Sequence, residues 1–242
     1  MKIYINGIGN ISPQKTFEPG KFLTEITSIS GNRLICIEPA YDDFIDPRML
    51  RRMSRIIRMG WTAAKICLTD AQIEIPDAII TGTGMGCIED TEKFLLAIYE
   101  NDERLLPPTP FIQSTHNTIG AQIALMLQCT NYNLTYTQRG IAFENALLDA
   151  LSLMHEPGYK NLLVGGFDEM TDNQLRLYNR LNYYKSQIDD NLKLIDHKDS
   201  GTIAGEGTSF FMLGHESTTK SYAAIKDVVT FNYPASNEFV LN

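Results

Sequence analysis

Isoleucines at positions 3, 5, 8 and 11, broken by Gly7 and Gly9, predict a first strand over residues 2–11. Residues 12–34 are rich in Ser, Thr, Gly and Pro and predict irregular chain. Pro47 then opens a stretch, 48–71, in which Met49, Leu50, Met53, Ile56, Ile57, Trp61, Ala64 and Leu68 recur at helical spacing. Residues 77–84 read as a short apolar strand entering a glycine turn, followed by a helix over 89–101. The cluster Pro107-Pro-Thr-Pro110 predicts a rigid loop, and 119–128 a further helix with Ser114-Thr-His-Asn117 as its cap. Residues 133–154 combine a short strand, a tight turn and an almost wholly apolar helix. A strand over 161–166 follows, then a polar helix and loop over 171–200, and strands over 208–214 and 222–230.

Strands alternating with helices predict an α/β chain built on a mostly parallel sheet with covered faces. The helix at 141–154 is apolar nearly all round, so burial on every side is expected, as in a layer between two sheets. At 242 residues the chain is read as a single domain, 1–242.

A net charge of -8 argues against a nucleic-acid-binding surface and against anionic membranes. One local exception is a basic strip: Arg48, Arg51, Arg52, Arg55 and Arg58, which alternate with the apolar stripe and read as a solvated face. Cys36, Cys67, Cys87 and Cys129 are scattered without metal-ligand spacing, as expected of reduced, buried thiols. No apolar run is long enough to span a bilayer, and the first residues lack a signal-peptide core, so a cytoplasmic location is expected.

A strand that turns directly into an apolar helix has the form of a nucleophile elbow, with the helix N-terminus placed to hold an anion. Here the turn is Thr137, Gln138, Arg139 and Gly140, which contains neither Cys nor Ser. Gly82-Thr-Gly-Met-Gly86 lacks the Gly-Lys-Ser/Thr ending of a P-loop and the spacing of a dinucleotide site, and reads as a strand-to-helix turn needing small residues. The four histidines show no paired spacing, so no metal site is expected, and His116 reads as a capping or core hydrogen-bonding residue. Asp168 and Glu169 are adjacent and read as structural acceptors at a loop.

Several segments, taken in order, resemble the amino-terminal half of a β-ketoacyl-ACP synthase. Asp46-Pro-Arg-Met-Leu-Arg-Arg-Met-Ser-Arg55 with Ala63-Ala64 and Thr69-Asp-Ala71 resembles the family's arginine-rich first long helix. Ile79 to Gly86 resembles its second strand and glycine turn, and Thr109-Pro-Phe111 through Asn117-Thr-Ile-Gly120 its proline-rich loop and following helix start. Leu162-Leu-Val-Gly-Gly166 with Asp168-Glu169, and Ala204-Gly-Glu-Gly207 running into Phe210 to Glu216, resemble its closing strands. The resemblance implies a thiolase-like fold: one βαβαβαββ half with a mostly parallel mixed sheet and a buried central helix.

It also implies two departures. The family's cysteine nucleophile falls among Gln138, Arg139 and Gly140, and no register supplies a cysteine there. The catalytic histidines and lysine belong to the family's second copy of the unit, which this sequence is expected to lack. Catalytic residues and cofactors are therefore expected to be none. The resemblance is to chain-length factors, inactive subunits that pair as a heterodimer with a full-length β-ketoacyl-ACP synthase, and most of all to half-length members of aryl-polyene and flexirubin-type pathways. It implies an interface strand over Asn133, Leu134, Thr135, Tyr136 and Thr137, with possible tunnel wall from Phe111, Gln113, His116 and Asn117. Acyl carrier protein is reached through the complex. Two rival readings remain: an acyl-thioester hydrolase or acyltransferase using Ser114 or His116, and a module that docks acyl carrier protein through the arginine strip.

Overall fold

The computed structural model describes residues 2–18, 23–185, 187–196 and 201–230. The isoleucine–glycine alternation forms β1 (Ile3–Ile11), which pairs antiparallel with β7 (Gly207–Gly214) on one side and β8 (Ala223–Ile225) on the other. A small parallel ladder joins β2 (Arg33–Leu34) to β6 (Ala204–Gly205). The main sheet continues through β5 (Asn161–Asp168) and the wholly buried β3 (Ala78–Gly82) to β4 (Tyr132–Tyr136), in the order β4-β3-β5-β7-β1-β8. β3, β4 and β5 are mutually parallel; β1 runs with them, whereas β7 and β8 oppose them. The last strand is three residues long rather than the expected nine, because pairing with β1 covers only Ile3, Tyr4 and Ile5.

The expected helix over 48–71 is two helices. α1 (Pro47–Leu50) starts with proline in its first turn and with the Asp46 carboxylate accepting the Arg48 N–H at 2.8 Å. Ser54 is extended, so the chain restarts as α2 (Arg55–Ala71) and ends where Gln72 turns left-handed. α2 and α5 (Thr118–Leu127) cover one face of the sheet, where Ile56, Ile57, Ile119 and Ile123 pack with Leu163, Phe210 and Met212. Between β3 and α5 lie α3 (Ile88–Glu100) and α4 (Pro108–Gln113); the proline cluster read as a rigid loop supplies α4's first turn. Asn117 precedes α5 but makes no side-chain cap bond. α7 (Asp172–Arg180) follows β5, and a 3-10 turn at Asn191–Asp196 occupies part of the polar stretch, whose residues 197–200 lie outside those described.

α6 (Ala142–Leu153) covers the opposite face and corrects the expectation of burial all round. Ala142, Ala146 and Ala150, four apart, are its buried residues and meet β3 and β5, while Leu147 and Leu151 are half-buried and Leu148 is exposed. Alanine here follows from close approach: a Cβ on Gly82 would lie 2.7 Å from the Ala142 carbonyl. The helix is central to the fold, yet only its small-residue face is covered among the described residues.

One buried ion pair ties the ends of these elements together. Glu206, between β6 and β7, has a fully buried carboxylate that receives Arg55 Nη2 at 2.7 Å and Nη1 at 2.9 Å, with the Cys36 N–H at 3.0 Å and the Met170 N–H at 3.3 Å. Arg55 Nε donates to Glu38 at 2.6 Å, and Tyr41 donates its hydroxyl to the other Glu38 oxygen. Burial alone would raise the Glu206 carboxyl, but the Arg55 and backbone donors outweigh it and hold the group below the ordinary carboxylate range.

Gly9→Ala should lower stability by about 1–3 kcal/mol, because its methyl would fall 1.9 Å from the Ala63 carbonyl oxygen and force β1 off α2. A denaturant midpoint shift at unchanged slope measures this. Glu206→Gln should cost about 1–3 kcal/mol, since half-buried Arg55 loses its charged bidentate partner and keeps only Glu38. Because the folded carboxyl lies below its usual 4.5, its stabilisation is present above that pH and fades as pH falls through the lower folded value. The acid limb of stability against pH should therefore be shallower in Glu206→Gln than in the parent.

Candidate functional site

The carboxyl ends of β3 and β5 and the turn that follows β4 meet where ligands commonly bind in parallel sheets. There they form a cleft of about 630 Å³ lined by glycines 82, 84, 140, 166, 205 and 207, with Arg139, Phe143, Asp168, Glu206 and Phe211. The expected elbow is present at one wall. β4 ends at Tyr136, a 3-10 turn at Arg139–Ile141 reverses the chain, and α6 leaves from it. Arg139 has φ +51°, a left-handed backbone that non-glycine residues adopt only where the surrounding fold imposes it.

The opposite wall is the glycine turn after β3, and its geometry is that of a structural turn. The Asp168 carboxylate accepts the Thr83 hydroxyl at 2.9 Å, the Gly84 N–H at 3.0 Å and the Met85 N–H at 2.8 Å. Burial pushes the Asp168 carboxyl up, opposed by these donors and by the nearby His116. Gly86, at φ +65°, lies against the His116 ring, where an added Cβ would come within 2.9 Å. Glu169 Oε1 accepts the Glu89 N–H at 3.0 Å; burial, with Glu89 and Asp90 nearby, pushes its carboxyl up to about 7 despite that bond. Both acids are acceptors that hold loops, as their adjacency on a strand exit predicts.

Of the three candidates at the nucleophile position, Arg139 and Gly140 line the cleft, and Gln138 is exposed beside it. No thiol approaches: all four cysteines are free and buried. Burial pushes Cys36 up to about 12, and Cys67 and Cys87 higher still, so these are unreactive groups. Asn133, Leu134, Thr135 and Tyr136 belong to β4, at the edge of the main sheet. Asn133 Nδ2 donates to the Gly120 carbonyl and Thr135 bonds Thr81, while Leu134 is 38% exposed; Thr137 lies just beyond the strand. Asn117 and Asn133 border a groove of about 590 Å³ along this edge, with Ala121, Leu125 and Gln128.

The other proposed wall residues are not gathered there. Phe111 is exposed with its ring 5.2 Å from Phe94, Gln113 Nε2 donates to the Arg52 carbonyl at 2.7 Å, and His116 packs on Gly86. The Ser114 hydroxyl donates to the Phe111 carbonyl at 2.8 Å. The arginine strip divides: Arg48, Arg51 and Arg52 are exposed, while Arg55 is half-buried in the Glu206 pair and Arg58 donates to the Met53 carbonyl. Sequence reasoning passed over Arg55, Glu38 and Glu206 as a unit. The one signal was the Gly-Glu-Gly setting of Glu206, and its partner lies 151 residues away. No helix among the described residues is long and apolar enough to cross a membrane.

No curated protein matches the sequence. Among solved structures, the fold superposes on a chain of AntDE:AntF, a type II PKS acyl-carrier protein in complex with its ketosynthase bound to the hexaketide. That match has a TM-score of 0.68 at 14% identity, covering 88% of this chain and 62% of that one. A chain of the ketosynthase ApeO in complex with its chain length factor ApeC, from Xenorhabdus doucetiae, gives 0.60 at 16% identity, covering 90% and 80%. The ishigamide ketosynthase/chain length factor gives 0.67 at 17% identity, covering 91% and 64%. The chain thus spans about three fifths of the length of the first of these, and the likeness is one of fold. The family model of the beta-ketoacyl synthase N-terminal domain matches residues 37–187, more than half of the sequence; the cleft residues outside the match are Pro13, Leu34 and those contributed by β6, β7 and the turn between them. The chain belongs to the family of the beta-ketoacyl synthase N-terminal domain.

Proposed function

We propose that this chain is a non-catalytic, chain-length-factor-like subunit that pairs with a full-length β-ketoacyl-ACP synthase and shapes its acyl tunnel. The observation that carries this reading is an intact elbow without a nucleophile. The left-handed turn after β4 and the first turn of α6 border an open cleft, yet Arg139 stands at the turn and every cysteine is buried elsewhere. The left-handed backbone at Arg139 favours that residue, over Gln138 and Gly140, at the family's nucleophile position. A guanidinium stays protonated and cannot attack a thioester.

The partner reading is supported by two structural neighbours that are ketosynthases with chain length factors. It is supported physically by β4, whose outer edge is unpaired by any described strand, and by the groove and exposed Leu125 beside it. Adding a strand of the synthase to Asn133–Thr137 would satisfy that edge and cover Leu134. α3 and α4 expose Leu95, Leu96, Tyr99, Phe111 and Ile112, apolar surface that would supply tunnel wall to the partner. Acyl carrier protein would reach the complex, with exposed Arg48, Arg51 and Arg52 as a basic contact for an acidic carrier. The growing chain would be a polyene or other β-ketoacyl chain, elongated in the cytoplasm. The hydrolase reading has less support, because the Ser114 hydroxyl is committed to a backbone carbonyl.

Co-expression with a full-length β-ketoacyl-ACP synthase, followed by light scattering and a malonyl-ACP elongation assay, tests the proposal. A one-to-one complex that elongates, with this chain inert alone, is the expected result; a monomer that ignores the synthase but hydrolyses acyl thioesters overturns it. Leu134→Lys should weaken the complex at least about tenfold, equivalent to ~1.4 kcal/mol, while leaving the thermal midpoint of the isolated chain unchanged. Arg139→Ala should leave the elongation rate of the complex within about twofold of the parent, since no covalent step passes through this position.

A further inference from the structure

α3 is attached to the body of the protein in an unusual way. It buries no apolar side chain; its one buried residue is Asp90, at 4% exposure. Its fastenings are polar and mostly acidic. Glu169, 3% exposed at the end of β5, accepts the Glu89 N–H of α3's first turn. Glu92 accepts the Thr171 hydroxyl at 2.6 Å and Asn173 Nδ2 at 3.1 Å, and the Thr91 hydroxyl donates to the Ser114 carbonyl. Asp90 Oδ2 is buried and has no hydrogen-bond partner.

Two carboxyl groups are therefore sealed under α3 with no cation bonded to either among the described residues. The groups facing them are mostly of the same sign. From α3 come Glu89, Lys93 and the preceding Cys87; from β5, Asp168; from the start of α2, Ser54 and Arg55; from the α4–α5 link, His116 through Asp168. Lys93 is salt-bridged to Glu89, and the Arg55 guanidinium is shared between Glu38 and Glu206. Burying an unpaired carboxylate costs several kcal/mol, so such a group keeps its proton instead.

We infer that docking of the α3–α4 arm on the β5–α7 corner is proton-coupled: the arm is held while the carboxyl beneath it is protonated and loosens when that group ionises. The inference rests on the carboxyl cluster and on α3 having no fully buried apolar side chain, only half-buried Ile88, Phe94, Ala97 and Ile98, and it stands whether or not the arm faces a partner subunit.

The sign follows from linkage. Glu169 is pushed from 4.5 to about 7 in the docked arm, mainly by burial, and regains an ordinary value once α3 lifts and water enters. The docked state then binds the extra proton between those two values, so its stability is greatest below about 4.5, falls as pH rises to about 7, and levels off above.

Hydrogen exchange of the whole chain, corrected for intrinsic rates, tests the device. Protection of the α3 amides should fall on the order of twentyfold between pH 5.5 and 7.5, while β5 amides keep theirs. In Glu169→Gln, whose amide oxygen can still accept from Glu89, the fall should disappear. Equal α3 protection at both pH values in the parent overturns the inference, as does a fall that persists in Glu169→Gln. If that variant fails to fold, Glu89→Gln takes its place: it removes a partly exposed negative charge facing Glu169 and keeps the backbone N–H that Glu169 accepts, and an unreduced fall there overturns the inference equally.

Discussion

The Arg55–Glu206 pair is the constraint on which the rest of the architecture depends. A carboxylate with no exposure is tolerable only because Arg55 meets it twice and two backbone N–H groups complete its shell. Those donors come from the N-terminus of α2, the segment after β2 and the corner after β5, so one charge sets the relative positions of three chain segments. Such a pair is not cheaper than a well-packed apolar contact. Its effect is directional: bidentate geometry admits one arrangement of the α2 N-terminus against the β6–β7 turn, and that turn forms one wall of the cleft.

Around that point the layers close through small residues. Gly9 lets the β1 backbone approach α2, Gly82 admits the first turn of α6, and Gly165 accommodates the ring of Phe210. The alanines of α6 continue this logic on the other face. The consequence for function is a central helix pressed so near the sheet that its first turn, with Arg139 and Gly140, opens directly onto the cleft. The scaffold of an elbow is kept by backbone packing, which does not depend on the side chain at the turn. The turn can therefore keep its geometry whatever side chain it carries, while the outer edge of β4 stays unpaired by any described strand and α6 keeps a half-covered face.

Much of the fold could be read from the residues. Periodicity placed β1, β3, β5, α3 and α5 within a residue or two, because apolar runs ended by glycine and apolar positions at helical spacing carry local signals. It missed the break between α1 and α2, where the extended backbone of Ser54 interrupts a stripe of apolar residues that itself continues unbroken. It overstated the burial of α6, since a helix apolar all round reports what its faces favour and not what covers them. Within the site, the absence of Cys and Ser between Thr137 and Gly140 was visible in one line of sequence.

Neighbouring residues alone carried the order of the main strands and long helices, the absence of Cys and Ser at the turn, and the acceptor character of Asp168 and Glu169. The rest was settled by long-range contacts. The tertiary structure selected Arg55, of five arginines, as the buried one; it put β4 at the sheet edge; it gave Arg139 its left-handed backbone; and it sealed Asp90 and Glu169 under α3. The reason is physical. Propensity and periodicity act over a few residues, whereas the desolvation of a charge, the freedom of a strand edge and the strain at a turn are set by groups brought together from distant parts of the chain.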